Sequence, residues 1–363
     1  MLKRIQMVVR TNLINSGIKM AKKKVTAKET KTSPAITATD KLANEINKEY
    51  GIGICVDANE ILDKEQIIIP VSPRIDAGIH GGIPEGSWVI MSGPPKCGKS
   101  TTCLEFAATC QQSEYGDREI YYFDVEGRLK KMNLEQIPNL NLKKFHIIKS
   151  TKEKILAAED HLTIAVNVLK NVPRAIVIID STSAMAGVST LEDRVRGDGR
   201  EPAPRILSNF CKQMGGVVPI QDSIVILVQH LITNTSGKGA MYMEDGGRKI
   251  QYQVDVKLRC TYFERWEDTS KTQIVQKAHW NVLSSALGPP GAKIESYLRY
   301  GEGIDMIYET MKIAEEIGII AKAGSWYTYE EYKVQGAEKL RQYFVDNPDK
   351  YKELTKEVQE MLS

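Results

Sequence analysis

No C-x-x-C pair occurs in these 363 residues, and no histidine stands at zinc-ligand spacing beside any of the six cysteines, at 55, 97, 103, 110, 211 and 260. That excludes zinc ribbons, zinc fingers and dithiol redox centres. The cysteines read as reduced, mostly buried thiols of a cytosolic, cytoplasmic protein. No run of 18 apolar residues is present, so nothing reads as a membrane span. The opening MLKRIQMVVRTNLINSGIK has scattered charges and lacks the apolar core of a signal peptide. Internal repeats are absent, as is low complexity beyond the N-terminal arm. The net charge of +3 is too small to argue for any class of partner by itself.

A hydrophobic content of 42% and a charged content of 26% suit a globular protein with a core of normal size, and the length suggests roughly two domains. Charge distribution says more than net charge. Residues 1–41 carry ten Lys or Arg against two acidic residues, with few large apolar residues after Gly17. Residues 1–38 therefore read as a disordered basic arm. Met20, followed by Ala-Lys-Lys-Lys, reads as the start of translation.

Leu42, Ile46 and Tyr50 recur at helical spacing and predict a helix from Thr39, as its cap, to about Tyr50. Gly51 and Gly53 end it. A short strand, Ile54 to Val56, and a linker containing Pro70 and Pro73 are expected next. From Trp88 the pattern becomes WVIMS, EIYYFDV, KFHIIKS, AIVIIDS and SIVILVQH, alternating with helical stretches at 100–112, 153–170 and 204–214. Continuous apolar strands alternating with helices predict an α/β fold with a parallel sheet covered on both faces. After Asp255, VKLRCTYFER, TQIVQKAHW and AKIESYLRY predict an antiparallel extension. The remainder, from Ile304, reads as a mainly helical C-terminal α+β lobe with a small β segment near Trp326–Tyr329. The expected divisions are an arm at 1–38, a helix–strand piece at 39–69, a core at 70–303 and a lobe at 304–363.

Gly93-Pro94-Pro95-Lys96-Cys97-Gly98-Lys99-Ser100 fits G-x-x-x-x-G-K-[ST], between a hydrophobic strand and a helix that also takes in Thr101. Such a loop curls backbone N–H groups around the phosphates of ATP, and the helix N-terminus faces the same anion. Lys99 then reaches the β- and γ-phosphates, and the Ser100 hydroxyl is a ligand for Mg²⁺. Cys97 reads as a tolerated small residue and not a nucleophile. Asp180 ends the apolar strand AIVIID, where an acid holding the Mg²⁺ shell belongs. Glu126, just beyond YYFDV, would project into the nucleotide crevice and activate water; a solvated strand-end acid fits the pattern equally. His230 ends IVILVQ, and the residues alone favour a hydrogen-bonded strand-end histidine over a γ-phosphate contact. Residues 187–203 and 231–248 read as mobile loops at the same rim. Arg196, Arg200, Arg205 and Lys212, with the Gly246-Gly247 backbone, suit a phosphodiester chain; plain solvated loops are the alternative. Trp326-Tyr327 reads as packing in the terminal lobe.

With these residues in place, the chain from about Lys41 to Ser363 resembles the RecA-type DNA strand-exchange proteins. IDAGIHGGIPEGSWVIMSGPPKCGKSTT is similar to the segment leading into that family's P-loop, and AIVIIDSTSAM to its Walker B strand. RYGEGID and IIAKAGSWYTY resemble two more specific signatures. The resemblance implies a RecA-like P-loop ATPase core with Glu126, in YYFDVEG, as catalytic glutamate. It further implies that Arg205, Ser208 and Lys212 serve the first DNA-binding loop and its helix, and Gly246-Gly247 the second. INKEYGIGICVDANE resembles the family's subunit-docking helix and strand, implying a helical filament of identical subunits. The expected function is ATP- and Mg²⁺-dependent assembly on single-stranded DNA, followed by pairing with a homologous duplex. Departures are visible. The family's sensor glutamine appears as His230, as in phage recombinases of the UvsX kind, which favours the sensor reading. The K-x-K pair that reaches a neighbour's ATP is missing, with Lys277, His279 or Lys293 as substitutes. The acid near adenine falls on Lys130, and the acidic tail is missing. A hexameric RecA-fold helicase and an ATP-gated DNA-binding accessory without turnover are the competing readings.

Overall fold

The structure, a computed structural model, describes residues 38–192, 203–233, 242–244, 248–267 and 274–362, so the expected basic arm lies outside the described residues. The chain divides into two units, residues 1–65 and 66–363.

In the first unit, α1 (Ala38–Tyr50) begins one residue before the expected cap, placing Thr39 inside the first turn. It runs to the glycines at 51 and 53, whose φ values of 125° and 86° end the helix. The expected strand at Ile54–Val56 is not formed. Asn47 instead clamps the turn, donating to and accepting from the Cys55 backbone at 2.8 Å each way. That uses the groups a strand would have offered to a partner. Asp57 then caps the short α2 (Ala58–Leu62), accepting from Asn59 N. Among the described residues, neither helix contains a buried residue. Leu42, Ile54, Ile61 and Leu62 are all exposed.

The second unit opens with β1 (Ile68–Ile69), α3 (Pro73–Ile79) and β2 (Ile83–Pro84), the two strands pairing antiparallel. The expected linker is thus partly helical. Pro73 occupies the first helical turn, where its missing N–H costs nothing, and Ser72 caps the helix by accepting from Ile75 N. The main sheet comprises β3 (Trp88–Gly93), β4 (Ile120–Asp124), β5 (Phe145–Ile148), β6 (Ile176–Asp180), β7 (Ile224–Thr233), β8 (Tyr242–Glu244), β9 (Val256–Glu267), β10 (Ile274–Ser284), β11 (Lys293–Arg299) and β12 (Gly303–Ile304). Its order is β12-β11-β10-β9-β3-β7-β6-β4-β5, with β8 paired to β7. The strands from β9 to β5 in this order run parallel, and those from β9 to β12 antiparallel, as the change in pattern after Asp255 predicts.

The helices of the core are α4 (Lys99–Cys110), α5 (Lys131–Glu135), α6 (Ala158–Asn171), α7 (Val188–Glu192), α8 (Ala203–Met214) and α9 (Val217–Ile220). Strand side chains alternate between two apolar layers. Val89, Met91, Tyr122, Ile178, Ile226 and Val228 face α4. Trp88, Phe123, Ile179, Val225 and Leu227 face α6 and α8. Each fully buried Ile or Phe contributes about 1.5–3 kcal/mol relative to exposure, so this two-sided burial is what holds the parallel strands.

The terminal lobe has its own core. α10 (Met306–Ile317), β13 (Ala321–Ala323), β14 (Trp326–Tyr329), β15 (Tyr332–Gln335), α11 (Ala337–Asp346) and α12 (Pro348–Leu362) enclose Ile313, Tyr329, Leu340, Phe344 and Leu354. Tyr327 is buried there, while Trp326 is half exposed beneath the Lys333 ammonium, 5.5 Å from its ring. Arg299, at the end of β11, ties core to lobe through an ion pair with Asp305 and another with Glu338 at 2.7 Å.

Candidate nucleotide and DNA site

Alternation along three neighbouring strands assembles the site. Asp124, Asp180 and His230 are each two residues beyond an apolar side chain that faces α4, namely Tyr122, Ile178 and Val228. They therefore point to the α4 side at the C-terminal ends of their strands. Register brings them level: Gly93 pairs with His230, and Asp124 with Asp180. The result is a crevice outside the carboxyl ends of parallel strands, where such sheets bind ligands.

Gly93 is required by close approach. A Cβ there would stand 2.8 Å from both the Cys260 Cβ and the Cys97 Sγ. Gly98 caps α4 with no side-chain acceptor, leaving the first-turn N–H groups of a 12-residue helix open to an anion. The Lys99 side chain is buried and donates to the carbonyls of Gly93 at 2.9 Å and Pro94 at 2.8 Å. Its ammonium is thus held over the loop it would help to close around phosphate. Arg265, from β9, donates to the Lys96 carbonyl at 3.1 Å and gives the loop a contact that no sequence motif announced. The Cys97 thiol is pushed down to about 7 by a hydrogen bond with Cys260, against burial and with help from Lys99. The Cys260 thiol moves up in consequence.

Ser100 Oγ and Tyr122 OH both donate to Asp180 Oδ2 at 2.5 Å. Burial beside Asp180 pushes the Tyr122 hydroxyl well above its ordinary range and keeps it a donor. Glu126 is engaged on both oxygens. Oε1 accepts from Ser181 Oγ at 2.7 Å and lies 2.9 Å from His230 Nε2; Oε2 lies 3.0 Å from Arg128 Nη1. Asp124, the acid beside it in sequence, is occupied otherwise, accepting from the backbone N–H groups of Arg128 and Leu129. Lys99, Ser100, Thr101, Glu126, Asp180 and His230 line one cavity of about 200 Å³, with Pro95 and Lys96 at its edge.

The residues expected to contact DNA divide. α8 buries Leu207, Phe210, Cys211 and Met214 and leaves Arg205 and Lys212, seven residues apart, exposed on one face. Ser208 lies on the flank of that face and is buried. Arg196, Arg200, Gly246 and Gly247 lie outside the described residues. The segments read as loops are partly structured: α7 occupies Val188–Glu192, and β7 continues to Thr233 and pairs with β8.

Lys277 and His279 sit two apart on β10, on one face of the sheet, opposite Glu264 of β9 and Glu295 of β11. Lys277 Nζ is 2.6 Å from Glu264, and His279 Nε2 is 3.4 Å from the same carboxylate. Lys293 is exposed, as is Lys130, which caps α5.

Sheet order and crevice define a RecA-like α/β core, in which strand, glycine loop and helix meet neighbouring strand-end acids. Residues 37–305 match the RecA N-terminal domain, and residues 309–363 match the RecA C-terminal domain. The chain belongs to the RecA family and is a RecA-type DNA recombinase. It is 24% identical over 311 residues to Protein RecA of Ruminococcus albus, covering 84% of this chain and 75% of that protein. It is 25% identical to Protein RecA of Cytophaga hutchinsonii over 318 residues, 86% of each chain. Identity to Protein RecA of Streptococcus pneumoniae is 25% over 323 residues, 86% of this chain and 80% of that one.

Proposed function

We propose that this recombinase is a DNA-dependent ATPase that polymerises on single-stranded DNA and exchanges that strand with a homologous duplex. The observation that carries the ATPase reading is the meeting of Lys99, Ser100, Asp180, Glu126 and His230 around one cavity. The loop from Gly93 to Thr101 holds the triphosphate by the backbone N–H groups of its non-proline residues and by Lys99, which exchanges the Gly93 and Pro94 carbonyls for phosphate oxygens. Ser100 and Asp180 offer a hydroxyl and a carboxylate, the hard oxygen donors that suit Mg²⁺, and would hold it there to neutralise phosphate charge. Glu126 takes the proton of the attacking water. His230, sharing the Glu126 carboxylate, senses the γ-phosphate and passes its presence along β7 into the second DNA-binding loop.

Arg205 and Lys212, with Arg196, Arg200 and the Gly246-Gly247 backbone, contact the DNA phosphates. The exposed apolar residues of α1 and α2 dock on the next subunit, giving head-to-tail filament growth. Lys277 and His279 act on the neighbour's nucleotide across that junction. A C-terminal lobe matching the RecA C-terminal domain favours this reading over a ring-forming helicase.

ATP hydrolysis and strand exchange, measured on one preparation with and without single-stranded DNA, test the proposal. DNA-stimulated hydrolysis with strand exchange is expected, and both should be lost in Lys99→Ala with the circular dichroism spectrum unchanged. DNA binding and pairing without any turnover would make the chain an accessory. Wild-type hydrolysis in Lys99→Ala would remove the phosphate role from this loop.

A further inference from the structure

Arg128 lies outside every motif discussed above, yet its guanidinium enters the crevice. Asp124, itself buried, fixes the Arg128 backbone by accepting its N–H at 2.9 Å. The side chain beyond that anchor is 77% exposed and forms an ion pair with Glu126 Oε2 at 3.0 Å. It shares the cavity with Lys96 and Lys99 on one side and Asp124, Glu126 and Asp180 on the other. Lys99 is turned onto the Gly93 and Pro94 carbonyls and away from these carboxylates.

We propose that Arg128 is a γ-phosphate ligand that must leave Glu126 to reach the nucleotide, so that binding of a triphosphate frees the base. The inference rests on the nucleotide reading of this crevice. Arriving anionic oxygens compete with Glu126 for the guanidinium, which binds phosphate oxygens in a planar fork. Glu126 Oε2 loses its partner, whereas Oε1 remains on Ser181 and His230. The freed oxygen is the one able to accept a proton from water. A diphosphate does not extend to this position and leaves the Arg128–Glu126 pair intact.

The test is a double-mutant cycle on the full-length protein, reading equilibrium affinity for β,γ-imido ATP and for ADP without DNA. Arg128→Ala should weaken the imido analogue by about tenfold, the scale of one charge-assisted hydrogen bond at an open site, and leave ADP unchanged. Arg128→Lys should recover part of the loss. Glu126→Gln should tighten the analogue by about threefold, since no ion pair is then broken. That gain should vanish in the double variant. An unchanged ratio of analogue to ADP affinity in Arg128→Ala, or a Glu126→Gln gain that survives without Arg128, would overturn the proposal while leaving the nucleotide site intact. Failure of the wild type to bind the analogue at all would sink both.

Discussion

Glu105 shows how a single buried carboxyl ties the helix after the glycine loop to the far edge of the sheet. It accepts from the Ile304 N–H at 3.0 Å and has no basic partner among the described residues. Burial pushes it up to about 7, against the pull of that N–H and with help from the nearby Glu309 carboxyl. The folded chain therefore holds this proton more tightly than the unfolded chain. Its stabilising contribution is complete below pH about 4.5 and is lost as pH rises to about 7. Glu105→Gln keeps the acceptor and removes the charge. At pH 8 the variant should be more resistant to urea, by up to about 3 kcal/mol, with little difference at pH 4.5. Asp76 and Glu309, also raised chiefly by burial, leave a residual slope in both proteins. Equal unfolding midpoints at pH 8 would show that Glu105 is not held as described. The same residue explains one glycine of the RYGEGID signature. Gly303 has φ 83° and its missing Cβ would fall on the Glu105 carboxylate.

At the scale of elements, apolar continuity and strand-end acids were legible because a buried parallel strand must be apolar until it reaches the crevice. Asp180 and His230 were found in that way. Arg265 and Tyr122 were not, because their contacts with Lys96 and Asp180 join elements far apart in sequence and carry no local pattern. Arg128, whose partners Asp124 and Glu126 are near in sequence, was not, because a cation beside strand-end acids reads as a solvated pair. The strand expected at Ile54–Val56 failed for a related reason: three apolar residues in a row cannot report that Asn47 occupies the Cys55 backbone. Pro73, expected in a linker, stands in the first turn of α3, where proline is tolerated. α8 illustrates what amphipathic spacing can predict. Its core face is fixed by Leu207, Phe210 and Met214, leaving Arg205 and Lys212 exposed. Arg205→Ala should weaken single-stranded DNA binding alike for all base sequences and lower the log–log salt slope by about 0.7. Titrations at several salt concentrations with two oligonucleotides of different sequence give both quantities. A loss confined to one sequence would contradict a phosphate contact.

For the whole molecule, the proposed function draws on three features: a crevice at the strand ends, β7 leading from it to Thr233, and N-terminal helices whose apolar residues are exposed among the described residues. ATP can shift DNA affinity only through its different interaction with two states of the protein. In the proposed function His230 registers that difference; it lies 2.9 Å from the Glu126 carboxylate and is anchored through its backbone N–H to Ser183 Oγ. The most direct test of this coupling is single-stranded DNA affinity measured with ADP and with β,γ-imido ATP, for the wild type and His230→Ala. The wild type should bind DNA more tightly with the triphosphate analogue, and the variant should bind both nucleotides yet lose most of that gain. Equal DNA affinity of the wild type with the two nucleotides, or a full gain retained in His230→Ala, would contradict it.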